Sequence, residues 1–220
     1  LSVRLPAAER LTIAGKAGAL EAIIEIPAEG AQPPAAFMVV CHPHPLHGGT
    51  MDNKVVTTLA RAAHELGVPS LRFNYRGVGA SAGQYDEGRG EREDVLSAVA
   101  CGRQRWPDAA LWLAGFSFGG SMALRASSLS GTGRVAKLVT VAPALNKMLE
   151  ATHEIAVPEC PWLLVQGDAD EVIDARFNID WAQQLASPPQ LAVMPGVGHF
   201  FHGQLTTLRA AVLAFLRTGT

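Results

Sequence analysis

From residue 37 onward the chain alternates between short apolar runs and amphipathic segments, and that alternation leaves few folds open. Residues 37–41, 69–73, 110–115, 137–141, 162–166 and 191–194 read as strands. Residues 53–66, 91–103, 118–128, 175–185 and 204–216 carry helical spacing; in the first of these, Val56, Leu59, Ala60, Ala63 and Leu66 share a face. Strands that are apolar throughout belong inside a sheet covered on both faces. The pattern therefore predicts an α/β fold: a mostly parallel, doubly wound sheet of about eight strands with helices on both faces. Residues 11–14 and 19–26 read as two earlier strands with no helix between them, which predicts an antiparallel edge. No internal repeat or linker breaks the pattern, so residues 1–220 read as a single domain, long enough for one large core.

Composition narrows the partners. Hydrophobic residues make up 48% and charged residues 17%, with a formal net charge of −2. That balance calls for neither nucleic acid nor an anionic membrane. No segment reads as a leader, and no run approaches the roughly 20 apolar residues that span a bilayer. Cys41, Cys101 and Cys160 are too few and too odd in number for a disulfide framework. Reduced thiols, a cytoplasmic location and a monomer or homodimer are the expectations.

The strongest chemical signal is Leu111-Trp112-Leu113-Ala114-Gly115-Phe116-Ser117-Phe118-Gly119-Gly120. An apolar strand runs into Gly-x-Ser-x-Gly and a helix follows. A turn this sharp strains the serine backbone and needs glycines where it approaches neighbouring chain. It lifts Ser117 above the carboxyl end of a strand, where open α/β sheets carry ligands. The free N–H groups at the start of the next helix favour negative charge, so the Phe118 N–H is a candidate oxyanion donor.

A serine hydroxyl needs a base, and a base needs an orienting acid. After this kind of turn the partners are expected in the order acid, then histidine, each in a loop after a strand. Asp168, Asp170 and Glu171 share the turn after residue 166, and Asp174 is placed to cap the following helix. Asp168 is an alternative stabiliser of its own turn. His199 follows the strand ending near Met194, in a loop loosened by Gly196 and Gly198; His202 is its rival.

Together these segments resemble the α/β-hydrolase superfamily, over nearly the whole chain. The resemblance implies an acid at the end of a Gly-x-x-Asp turn, matched by Gly167 to Asp170, and a base in a Gly-His pair, matched by Gly198-His199. Arg76-Gly77-Val78-Gly79-Ala80-Ser81 is similar to the superfamily's Arg-Gly-x-Gly-x-Ser stretch. His42-Pro43-His44-Pro45-Leu46-His47-Gly48-Gly49 is similar to a subgroup of small, lidless bacterial hydrolases known mainly as predicted ones. In the superfamily the second oxyanion donor follows a His-Gly pair. Here Pro43 stands in place of that glycine, and Pro43 and Pro45 cannot donate, so the resemblance points to the His44 N–H, with Leu46 behind it.

The resemblance implies a Ser117–His199–Asp170 triad acting on small acyl substrates through an acyl-enzyme, without cofactor. A thioesterase or peptidase would use the same residues, and a binding protein on an inactive hydrolase fold is the alternative outside catalysis. His42, His44 and His47 raise a metal site, but no neighbouring Cys or carboxylate completes one. Asp52 reads as a helix cap, and the histidines as loop structure and pocket lining. The connection 142–161 fits one short helix, with Leu145, Met148 and Leu149 on its apolar face, and no cap domain. An open cleft is expected, walled by Leu46, Phe116, Phe118, Leu145, Met148 and Phe200.

Overall fold

The computed structural model describes residues 7–30, 33–152 and 155–218. Its strands are β1 (Ala7–Gly15), β2 (Gly18–Ile26), β3 (Ala36–Cys41), β4 (Ser70–Phe73), β5 (Ala110–Phe116), β6 (Val135–Val141), β7 (Trp162–Gly167) and β8 (Gln190–Met194). Its α-helices are α1 (Lys54–His64), α2 (Arg89–Arg105), α3 (Phe118–Ser127), α4 (Leu145–Thr152), α5 (Ala175–Gln183) and α6 (Leu205–Arg217). The eight strands form one sheet in the order β1-β2-β4-β3-β5-β6-β7-β8. β1 with β2 and β2 with β4 run antiparallel, and the remaining pairs are parallel. This is the α/β-hydrolase arrangement, with an antiparallel edge and a parallel body.

Side-chain alternation along the central strands builds two cores. Phe37, Val39, Leu111 and Leu113 point to one face, where they meet Val95 and Val99 of α2 and Met122 and Leu124 of α3. Met38, Val40, Trp112 and Ala114 point to the other, against Val56 and Leu59 of α1 and Leu208 and Val212 of α6. Between β6 and β7 the described residues hold the single helix α4, whose Leu145 and Met148 join the first core. Among the polar side chains buried beside the second core, Lys137 of β6 has its ammonium 5.1 Å from the Trp112 ring and donates to the carbonyls of Leu216 and Thr218 at the end of α6. Among the described residues no helix is long and apolar enough to cross a membrane.

The sheet order also locates the site. From β3 the chain passes through α1 to β4 on one side, then crosses to β5 on the other. The crevice between the carboxyl ends of β3 and β5 is the topological switch point at which such sheets bind ligands. The segment His42-Pro43-His44 leaves the first of these strands and Ser117 leaves the second.

Candidate active site

Ser117 sits between the end of β5 and the first residue of α3 with φ 56° and ψ −121°. A non-glycine residue held there costs on the order of 1–3 kcal/mol and persists only where its surroundings fix it. They do: its N–H donates to the Val141 carbonyl at 2.8 Å, and its own carbonyl accepts from Ser121 N–H at 3.1 Å. A Cβ on Gly119 would lie 2.4 Å from the carbonyl oxygens of Cys41 and His42, and one on Gly115 would lie 2.2 Å from the Gly119 oxygen. The elbow is thus pressed against the end of β3, and both flanking positions require glycine.

Loops after β7 and β8 bring in the partners. Ser117 Oγ lies 3.1 Å from His199 Nε2, and His199 Nδ1 lies 2.8 Å from Asp170 Oδ2. Ser117 and His199 are buried, and the Asp170 side chain is fully so. An ionised carboxylate only accepts, so the imidazole proton stays on Nδ1 and Nε2 is free to take the serine proton. Burial alone would raise the Asp170 pKa. The His199 ring and the N–H groups of Ile173 and Val172 outweigh it and hold the carboxyl below its ordinary value. Those two N–H groups meet Oδ1 at 2.8 and 2.9 Å. Gln166 Nε2 meets Oδ2 at 3.1 Å, and Gln166 is held in turn by Asn178 Nδ2 at 2.9 Å.

His42, His44 and His47 have separate roles. His42 is buried, donates from Nδ1 to the Pro43 carbonyl and accepts from Tyr75 N–H at Nε2. Burial lowers its pKa to about 4, so it stays neutral. His44 stacks on His47 at 4.4 Å and lies 5.1 Å from the Phe118 ring, with Tyr85 Oη 3.2 Å from its Nε2. Among the described residues no three His, Cys, Asp or Glu side chains are grouped to hold a metal. The three cysteines are free thiols, and burial pushes Cys41 up to about 12.

Several side chains stand elsewhere than their sequence positions imply. Asp52 does not cap α1: Asn53 does, accepting from Val55 and Val56 N–H, while Asp52 pairs with Arg72 at 3.1 Å. Phe116 and Leu145 are enclosed in the two cores and offer no surface to a ligand; Phe116 instead supports the His199 ring from 5.0 Å. Met148 and Phe118 are nearly covered, whereas Leu46 is 68% and Phe200 49% exposed. His202 is exposed, its ring 5.7 Å from Phe200. Asp168 bonds across to the next loop, Oδ1 accepting from Gly196 N–H at 2.6 Å. Glu171 does likewise, accepting from His199 N–H at 3.1 Å. The acidic run Asp168 to Glu171 was visible in the sequence, but this division of labour depends on how two loops meet.

Residues 32–158, more than half of the chain, match the family described as Serine aminopeptidase, S33. That stretch includes the elbow and ends before Asp170 and His199. A solved α/β serine hydrolase homologue from Coxiella burnetii is 42% identical, with a TM-score of 0.87 over 94% of this chain and 97% of its own. A lidless α/β serine hydrolase from Xanthomonas campestris is 38% identical, with a TM-score of 0.85 over 99% of this chain and 97% of its own. An uncharacterised protein of Rickettsia prowazekii is 29% identical over 87% of this chain and 82% of its own length. The strained serine turn, the sheet order and these relatives agree: the chain belongs to the serine hydrolases of the α/β-hydrolase superfamily.

Proposed function

We propose that the protein is a carboxylesterase-type hydrolase in which Ser117 is the nucleophile, His199 the general base and Asp170 the orienting acid. The observation that carries this reading is the continuous line from Ser117 Oγ through His199 to Asp170, at 3.1 and 2.8 Å. His199 Nε2 takes the hydroxyl proton as Oγ attacks the substrate carbonyl. The tetrahedral oxyanion rests on the N–H groups of Phe118 and His44. Phe118 opens α3, where N–H groups have no acceptor within the helix. The His44 loop lies against the elbow, its ring beside that of Phe118. His199 then protonates the leaving alcohol, and a water, activated by the same nitrogen, releases the acyl group and restores Ser117. No step calls for a cofactor.

Three of the large exposed apolar side chains, Leu46, Val172 and Phe200, sit on the loops that also carry His44, Asp170 and His199. Such a rim favours an uncharged acyl group of short to medium length. Ser117→Ala is expected to lower ester hydrolysis by about 10³-fold or more while the fold survives. A fluorophosphonate probe should label Ser117 of the parent protein, and an ester, thioester and aminoacyl-anilide panel ranks the substrates. Labelling at another serine, with activity retained in the variant, would sink the assignment.

A further inference from the structure

We infer that Glu171 is a positioning residue for the catalytic histidine: its carboxylate fixes the His199 backbone while its neighbour Asp170 fixes the ring. The inference rests on the serine-hydrolase reading of the site. The loop after β8 carries Gly196, Gly198 and Gly203, with φ of 70° at the first and last. A loop so rich in glycine does not hold an imidazole still by its own stiffness. The loop after β7 supplies the restraint. Asp168 N–H donates to the Met194 carbonyl and Ala169 N–H to that of Val197, each at 3.2 Å, while Asp168 Oδ1 takes the Gly196 N–H. At the end of this ladder Glu171 Oε2 takes the N–H of His199 itself at 3.1 Å. Gly198 makes the approach possible, since a Cβ there would stand 2.7 Å from that same oxygen.

Consecutive acidic residues thus hold one histidine at two points. Asp170 sets which way the ring faces and which nitrogen carries the proton. Glu171 sets where the Cα stands, and so how far Nε2 is from Ser117. Glu171 is exposed, so its replacement leaves the core packing in place.

The test compares Glu171→Ala with Glu171→Gln, whose amide oxygen can still accept from the His199 N–H. Two readouts are taken on the full chain: kcat and KM with a soluble nitrophenyl ester, and the low-field NMR resonance of the proton shared by His199 Nδ1 and Asp170. Because displacement of a catalytic group by about 1 Å costs up to roughly a hundredfold, Glu171→Ala is expected to lower kcat by about tenfold to a hundredfold. KM should stay within about twofold, since the substrate contacts are untouched, and the resonance should broaden or vanish. Glu171→Gln should keep the resonance and most of kcat. An unchanged resonance and kcat in Glu171→Ala would overturn the inference, as would a Gln variant as impaired as the Ala one. The resonance needs no substrate: if the parent hydrolyses no ester, it still decides the positioning role, and only the esterase reading falls.

Discussion

Gln166 Nε2 lies 3.1 Å from Asp170 Oδ2, the same oxygen that faces the His199 ring. Gln166 is the penultimate residue of β7 and fully buried, so Asp170 is fastened to the sheet as well as to its own turn. Gln166→Leu removes that donor and should lower kcat by about tenfold with little change in KM, as expected for a group that orients without touching substrate. No change in kcat would show that Asp170 is held adequately by Val172 and Ile173, and a rise in KM would show that Gln166 also shapes substrate binding.

Asp168 and Asp170 are separated by the kind of bond each makes. Asp170→Asn keeps the shape but offers the imidazole an amide in place of a charge, and should cost about 10³–10⁴-fold in kcat through the wrong tautomer. Asp168→Asn keeps the oxygen that accepts from Gly196 N–H and should stay within about threefold of the parent. Steady-state kinetics on both variants decides the order, and the reverse ranking would move the acid to Asp168.

Buried neutral His42 makes stability fall on acidification. The unfolded chain takes up a proton near the ordinary value of 6.5, whereas the folded imidazole resists until about 4. Between those values the unfolded state binds more protons, so stability drops as pH falls from 6.5 to 4, by about 3 kcal/mol in all, and this contribution levels off below. Asp170 acts in a lower window, because its depressed pKa contributes stability above the ordinary 3.8 that is lost as pH falls through the folded value. Urea unfolding at pH 7 and pH 4.5 should show the parent losing more stability than His42→Gln. Equal losses would assign the acid sensitivity to other groups.

The single short helix between β6 and β7 predicts simple kinetics on aggregated substrate. With only α4 between those strands among the described residues, the rate should rise smoothly across the solubility limit of a short-chain ester. A sharp rise at that limit, with preference for long-chain triglycerides, would reveal a mobile cover over Ser117.

Much of the sheet was legible because the central strands are apolar on both faces and the helices keep strict spacing. The start of β1 was not: Ala7 to Arg10 are exposed and pair only with β2 at the sheet edge, so no alternation marks them. That Ser117, Asp170 and His199 meet was legible because each follows a strand in a glycine-bearing turn. The apolar residues near them were less so. A phenylalanine beside Ser117 reads as pocket lining until the pleat of β5 turns Phe116 into the core beneath His199. Asn53 in place of Asp52 at the start of α1, with Asp52 paired to Arg72 instead, is a long-range arrangement that no local pattern announces.

Lys137 gives the far end of the molecule an unexpected sensitivity to truncation. Its ammonium is buried beneath the sheet and satisfied by carbonyls of Leu216 and Thr218. Cutting the chain before Leu216 removes both carbonyl partners of that ammonium together with the buried Leu216 side chain, and hydrogen bonds to a charged group are worth about 1.5–3 kcal/mol. The last turn of α6 therefore closes the second core and satisfies Lys137 at once.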